Sequence, residues 1–277
     1  MTPSAAAGGP TLLAVAGWPV GHSRSPQMMT AALAELGLDW RYLMLPLAPE
    51  RFAATVAALP GSGYVGLNVT IPHKLAALEL ADTATDAAAS IGAANTLSFD
   101  RDGGVEADNT DAGGLLDAIG DPMADKRALV LGAGGAGRAA AWALREAGAE
   151  VAVWNRTADR AAALARELDV RHAERYEAPD VLVNATSVGL SPKLAESGVL
   201  EAFDITSDGD VPSLLVDLVY GDEPTALCAW AQRGGAVVID GLEVLVRQGA
   251  RSLEHWTGES APLEVMRAAA RGAIARG

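Results

Sequence analysis

The sequence predicts an α/β fold in two domains. Three observations carry this expectation. Short apolar runs alternate with helix-periodic segments through nearly the whole length of 277 residues, the pattern of layered α/β architecture. A Gly-rich turn, GAGGAG at 132–137, stands between a strand-like run and a helix-like run. The hydrophobic pattern also turns over near 111 and again near 245, which marks two domains with the last helices free to return to the first.

In order, residues 1–10 read as a frayed tail and TLLAVAG as a first buried strand. SPQMMTAALAELG follows as a helix, with Ser25 as N-cap, Pro26 at the first helical position and Gly37 as stop. WRYLML is a strand, PERFAATVAAL a helix and YVGLNV a strand. A helix opening at Pro72 puts Lys74 in its first turn, and NTLSF with VEADN flank the hairpin signal DRDGG. Asp111 stands where an N-cap would, before AGGLLDAIG. From Arg127 a second series runs strand, Gly-rich turn, helix, then EVAVWN, ADRAAALAREL, DVLVNAT, SLLVDLVY, PTALCAWAQRGG and AVVIDG. The segment 191–213 is the least regular and reads as surface loop, whereas LEVLVRQGARSLEHWTG and PLEVMRAAARGAIA read as helices.

Bulk composition narrows the function. A net charge of −14 argues against nucleic acid or an anionic membrane surface as partner, but leaves an anionic small substrate open. A single cysteine, Cys228, excludes an intrachain disulfide and a Cys-based metal site, and the four His lack HExxH spacing, so no metal is expected. The N-terminus has no basic n-region and no apolar run long enough for a signal peptide, so the expected location is cytoplasmic. NVT, NRT and NAT match the glycosylation pattern but lack that export context.

Gly132, Gly134 and Gly137 fit G-x-G-x-x-G, whose glycines let the backbone turn tightly and approach a pyrophosphate at a helix N-terminus. At the end of the next strand an acidic residue would suit a ribose 2′-hydroxyl. This chain offers Asn155, Arg156, Thr157 and Arg160 instead. A carboxylate would repel a 2′-phosphate, whereas a guanidinium donates charge-assisted hydrogen bonds to it, which favours NADP over NAD.

Only three of the 21 basic residues are Lys, at 74, 126 and 193, so Lys74 in GYVGLNVTIPHKLAALEL stands out. An amine can give and take a proton, and an Arg effectively cannot. The five Asn, at 68, 95, 109, 155 and 184, all fall at or near predicted strand ends, where open α/β sheets bind ligands. With these motifs in this order, from GWPVGHSRSP to GLEVLVRQ, the chain resembles the shikimate dehydrogenase family over nearly its full length. Members of that family reduce 3-dehydroshikimate with NADPH in aromatic amino-acid biosynthesis.

The resemblance implies an N-terminal substrate domain, 1–110 with 246–277 returning to it, and a Rossmann-type NADP domain, 111–245. It implies Lys74 and Asp111 as the catalytic pair, and Ser23 and Ser25 on the substrate carboxylate with Thr70 and Tyr220 nearby. Asn95 and Gln248, with Asp111, match the hydroxyl-binding positions. Gly132, Ala133, Gly134, Gly135, Ala136, Asn155, Arg156, Thr157 and Arg160 match the NADP contacts, with Asp86, Leu218 and Gly241. Two departures are visible: Met29 and Thr30 replace a usual His-Asn, and Glu243 stands within GLEVL in place of GLGML. Rival readings are a quinate/shikimate dehydrogenase of broader substrate or cofactor range, and an NADP-binding protein without catalysis. A monomer or homodimer is expected.

Overall fold

The computed structural model describes residues 10–100, 102–189, 196–203, 205, 210–221 and 223–272. The tail reading over 1–9 and the helix reading past 272 lie outside these residues. The chain divides into two compact units, Met1–Gly114 with Leu245–Gly277, and Leu115–Val244. The first opens with β1 (Thr11–Gly17), α1 (Ser25–Glu35), β2 (Trp40–Pro46), α2 (Pro49–Val56), β3 (Tyr64–Val69) and α3 (Lys74–Glu79). Then come β4 (Thr83–Ala84), α4 (Asp86–Ile91), β5 (Thr96–Phe99), β6 (Val105–Asp108) and α5 (Thr110–Ile119), within which the chain passes into the second unit. The sheet order is β2-β1-β3-β5-β6-β4, with β1 parallel to β2 and β3, and β5 antiparallel to both its neighbours. Ala14, Ala16, Phe52, Leu67, Val69 and Leu97 form its core, the burial that the continuous apolar run of a central strand requires. The β5–β6 turn is closed by Asp100 Oδ1, which accepts from the Asp102 and Gly104 N–H groups at 2.9 and 2.6 Å.

The second unit holds β7 (Arg127–Leu131), α6 (Gly135–Glu146), β8 (Glu150–Trp154), α7 (Ala158–Glu167), β9 (Arg171–His172) and β10 (Val181–Asn184). It continues through α8 (Glu196–Glu201), β11 (Leu214–Asp217), α9 (Ala226–Arg233) and β12 (Val237–Ile239). All its strand pairs are parallel, and the order β9-β8-β7-β10-β11-β12 is the 3-2-1-4-5-6 of a dinucleotide-binding sheet. Alternate residues feed two cores on opposite faces. Val130, Val153, Val183 and Val216 belong to one, and Leu129, Leu131, Ala152, Leu182 and Leu215 to the other.

Helix α10 (Gly241–Thr257) carries the chain back to the first unit at Leu245, and α11 (Leu263–Gly272) packs on α1. Within that unit α5 and α10 touch backbone to backbone. A Cβ on Gly114 would lie 2.6 Å from Gln248 N, so only glycine lets α10 approach closely enough to seat Gln248. Met29, one of the two departures on α1, is fully buried, and Thr30 is exposed.

Four local expectations are corrected. Ser25 is not the N-cap of α1: it is the first helical residue, and Arg24 holds the cap without a side-chain hydrogen bond. Pro26 has no N–H to satisfy and is tolerated one position further in than expected. The next helix begins at Lys74 rather than Pro72, with His73 as its cap residue. Asp111 is not a cap either, because α5 begins at Thr110 and Asn109 Oδ1 accepts from the Ala112 N–H at 3.4 Å. Within the segment read as loop, α8 forms and buries Val199 and Leu200, with Phe203 and Ile205 beyond it, so apolar burial decides the structure there. Residues 191–195, 204 and 206–209 of that reading lie outside the described residues.

Candidate active site

In the first unit the passage from β3 to α3 is held at several points. The Thr70 N–H donates to Ala16 O at 2.8 Å, and the His73 N–H donates to Thr70 O at 3.0 Å. The His73 ring stacks on Phe52 with centroids 4.2 Å apart, and its Nε2 lies 2.7 Å from Leu47 O. Lys74 follows with its carbonyl fixed by the Ala94 N–H at 2.8 Å, so its backbone has little freedom. The Lys74 amine then meets Asp111 Oδ2 at 2.5 Å, both side chains being mostly buried.

The other carboxylate oxygen is also engaged. Asn95 Nδ2 donates to Asp111 Oδ1 at 2.9 Å and to Gln248 Oε1 at 3.1 Å. The Asn95 amide cannot be turned round, because its Oδ1 accepts from the Thr110 backbone N–H at 2.7 Å, a group that only donates. Gln248 Nε2 donates to Leu245 O at 2.8 Å. Lys74, Asn95, Asp111 and Gln248 therefore meet in one cluster, drawn from four separate segments of the chain. A salt bridge this buried is costly to build for stability alone, because both charges give up water to form it.

Behind this cluster lies a polar layer that the sequence reading did not single out. Thr96, Thr110 and Ser252 form a triangle of buried hydroxyls with edges of 3.2, 2.9 and 3.0 Å. Asn68 Nδ2 donates to Ser252 Oγ at 2.9 Å, and the Tyr42 hydroxyl donates to Asn68 Oδ1 at 2.7 Å. The available signal was adjacency, since Thr96 follows Asn95, Thr110 precedes Asp111, and Ser252 lies one turn beyond Gln248. The layer also revises the reading of the five Asn. The amides of Asn68 and Asn109 are taken up internally, Asn109 Nδ2 by Ala93 O at 2.8 Å.

Ser23 and Ser25 are both buried at the start of α1, where Ser23 Oγ accepts from the Ser25 N–H at 3.3 Å. Their loop runs beside the Thr70 turn. The Trp18 N–H donates to Ile71 O at 2.9 Å, and a Cβ on Gly17 would lie 2.4 Å from Thr70 Cγ2. Asp86 stands exposed at the first position of α4, behind the Thr85 cap.

In the second unit the Gly-rich turn fits a pyrophosphate. Gly132 has φ +111°, the region that favours glycine, and its N–H donates to Trp154 O at 2.8 Å. Gly134 precedes α6, which Gly135 and Ala136 open, so the N–H groups of a 12-residue helix start at this turn. The Ala133 N–H donates to Asn155 Oδ1 at 3.3 Å, tying the turn to the end of β8. Arg156, Thr157 and Arg160 are exposed around the start of α7. The Leu218 N–H donates to Asn184 O at 2.9 Å, and a Cβ on Gly241 would lie 2.6 Å from Leu218 O. Tyr220 is half-buried beyond β11, and the Glu243 N–H donates to Asp240 Oδ1 at 3.0 Å.

A cleft of about 400 Å³ opens around the N-terminal ends of β7 and β8, lined by Arg127, Glu150, Arg171 and Glu177. Arg171 pairs there with Glu177 at 2.7 Å, and Arg127 with Asp180 at 3.3 Å, so its cations are neutralised locally, away from the glycine turn. Among the described residues no group of three or more His, Cys, Asp or Glu is placed to hold a metal ion, and no helix is long and apolar enough to cross a membrane.

Three family profiles match the chain in order: the shikimate dehydrogenase substrate binding domain over 15–97, the shikimate / quinate 5-dehydrogenase over 115–219, and the shikimate 5′-dehydrogenase C-terminal domain over 241–271. The NADP(+) shikimate dehydrogenase of Methanopyrus kandleri is 42% identical over 91% of this chain and 92% of its own. The shikimate 5-dehydrogenase of Thermus thermophilus, solved with NADP(H) and shikimate, superposes with a TM-score of 0.83 at 41% identity, covering 95% of this chain and 99% of that one. The ligand-free 5-ketofructose reductase of Gluconobacter sp. strain CHM43 superposes at 0.80 with 28% identity, covering 96% and 99%. Identity at this level, sustained across both units, goes well beyond a shared architecture, and the chain belongs to the shikimate dehydrogenase family.

Proposed function

We propose that the protein catalyses the reversible reduction of 3-dehydroshikimate to shikimate with NADPH. The observation that carries this reading is the Lys74–Asp111 contact at 2.5 Å, with Asn95 on the other carboxylate oxygen. Bound NADPH supplies the hydride. Lys74 Nζ gives a proton to the ketone oxygen during reduction and takes one from the alcohol during oxidation. Asp111 holds the amine in place, and Asn95 and Gln248 offer amides to the ring hydroxyls. Ser23 and Ser25 take the carboxylate, aided by the N-terminal end of α1, a helix of 11 residues. We place the enzyme in the cytoplasm, as a monomer or homodimer.

The test follows NADPH absorbance with shikimate, with quinate and with neither. Shikimate-dependent NADP reduction is the expected result. Faster reduction with quinate would favour a broader quinate/shikimate dehydrogenase, and no reduction with either would overturn the catalytic reading. Quinate is included because the 5-ketofructose reductase likeness shows that this fold carries more than one substrate class.

The cofactor reading rests on Arg156 at the end of β8, with no acidic residue in the stretch Asn155–Ala158. Arg156→Ala removes a charge-assisted donor from the 2′-phosphate. Arg156 is exposed, so screening lowers the effect, and the KM for NADP should rise by about tenfold. NAD kinetics should hardly change. Equal losses for both cofactors would assign the 2′-phosphate to another residue.

A further inference from the structure

Asp217, the last residue of β11, is fully buried, and an ionisable side chain there needs compensating partners. Four donors converge on its carboxylate. Asn184 Nδ2 and the Val219 N–H reach Oδ1 at 2.8 and 3.1 Å, and the Thr225 hydroxyl reaches Oδ2 at 2.5 Å. The Cys228 thiol approaches Oδ2 at 3.6 Å. Burial pushes the Asp217 carboxyl above its ordinary range, and burial with the adjacent carboxylate pushes the Cys228 thiol up to about 11, which keeps it a donor.

The donors come from the ends of three elements, β10, β11 and α9, so one carboxylate ties three connections together. Asn184 passes the constraint onward. Its Oδ1 accepts from the Thr186 N–H and hydroxyl at 3.1 and 2.8 Å, and the Val188 N–H donates to Thr186 Oγ1 at 3.0 Å. Segments 185–189 and 218–220 thus lie past the C-terminal ends of β10 and β11. In a sheet of this order, that half holds the second mononucleotide, beyond the pyrophosphate.

We propose that Asp217 is a positioning residue for the nicotinamide half of the cofactor, setting segments 185–189 and 218–220 through Asn184 and the Val219 N–H. The inference rests on the NADP reading of this unit. The adenosine half has further anchors of its own at β8, since the Gly132 N–H is held by Trp154 O and the Ala133 N–H by Asn155, although Ala185 and Thr186 also pack against Gly132.

The experiment compares NADP with adenosine 2′,5′-bisphosphate, which lacks the nicotinamide half, by titration calorimetry on the full chain. Wild-type protein should bind both, and binding of neither would overturn the NADP reading itself. Asp217→Asn keeps the shape but turns an NH2 towards donors whichever way the amide faces. It should weaken NADP at least about tenfold and the bisphosphate by less than about threefold. Asn184→Ala, which leaves Asp217 three of its donors, should show the same split and decides the matter alone if Asp217→Asn does not fold. Val181→Ala, a core truncation in β10, should lower the melting temperature without changing the ratio of the two affinities. Equal loss of both ligands in the Asp217 and Asn184 variants, loss of neither, or the same split in Val181→Ala would overturn the proposal.

Discussion

Lys74→Ala is expected to slow turnover by about a hundredfold or more, the scale of losing a general acid–base group. Shikimate affinity should change far less, because Asn95, Gln248 and the serines of the α1 loop remain. Removing the amine leaves Asp111 Oδ2 without its 2.5 Å partner in a mostly buried position, so some loss of stability should accompany the kinetic effect. Lys74→Arg separates the two roles. A guanidinium restores the charge beside Asp111 but cannot exchange a proton, so melting should recover while turnover stays low. Steady-state kinetics and thermal melting of both variants check this. Turnover above half of wild type in Lys74→Ala would sink the assignment, and recovery of turnover in Lys74→Arg would mean that charge alone matters.

How much of this was legible in the sequence depends on distance along the chain. The strands over 11–17 and 64–69 follow from short, mostly apolar runs, and the Gly-rich turn from its own three glycines and the periodicities on either side. These are local signals. The short pieces β4, α4 and β9 leave no mark in the sequence, because two or six residues give no period to read, and the two strands take their order from β6 and β8. Helix α8 was missed for the same reason.

The site divides the same way. Residue identity pointed to Lys74, because a chain rich in Arg carries only three Lys. The hydroxyl triangle of Thr96, Thr110 and Ser252 joins residues up to 156 positions apart, and no spacing announces it. The seat of Gln248 depends on the missing side chain of Gly114, a close approach visible only once α5 and α10 are packed. Asp217 read as part of a buried strand, and its role emerges only from the four donors that close on it.

Gly137→Ala and Gly134→Ala together are expected to separate what the fold needs from what the ligand needs. A Cβ on Gly137 would lie 2.0 Å from Gly132 O. The obstacle is backbone, and that residue is itself held by its N–H bond to Trp154 O at 2.8 Å. Either α6 lifts from β7 or the turn is displaced. Overpacking of this kind costs about 1–3 kcal/mol, and it falls on the helix end that would receive the pyrophosphate. Melting temperature should fall and NADP affinity should drop by about a hundredfold. Gly134 is different. Its φ is −90°, and a Cβ there meets nothing within 4 Å, so the protein alone gives no reason for glycine. A bound pyrophosphate does, because a methyl group would stand where its oxygens approach the backbone. Gly134→Ala should therefore melt like wild type yet bind NADP at least about tenfold more weakly, as steric exclusion of a charge-assisted contact predicts. NADP titration beside thermal melting of both variants gives the answer. Wild-type affinity in Gly134→Ala would mean that the phosphates do not pass over this turn, whatever Gly137→Ala does to the fold.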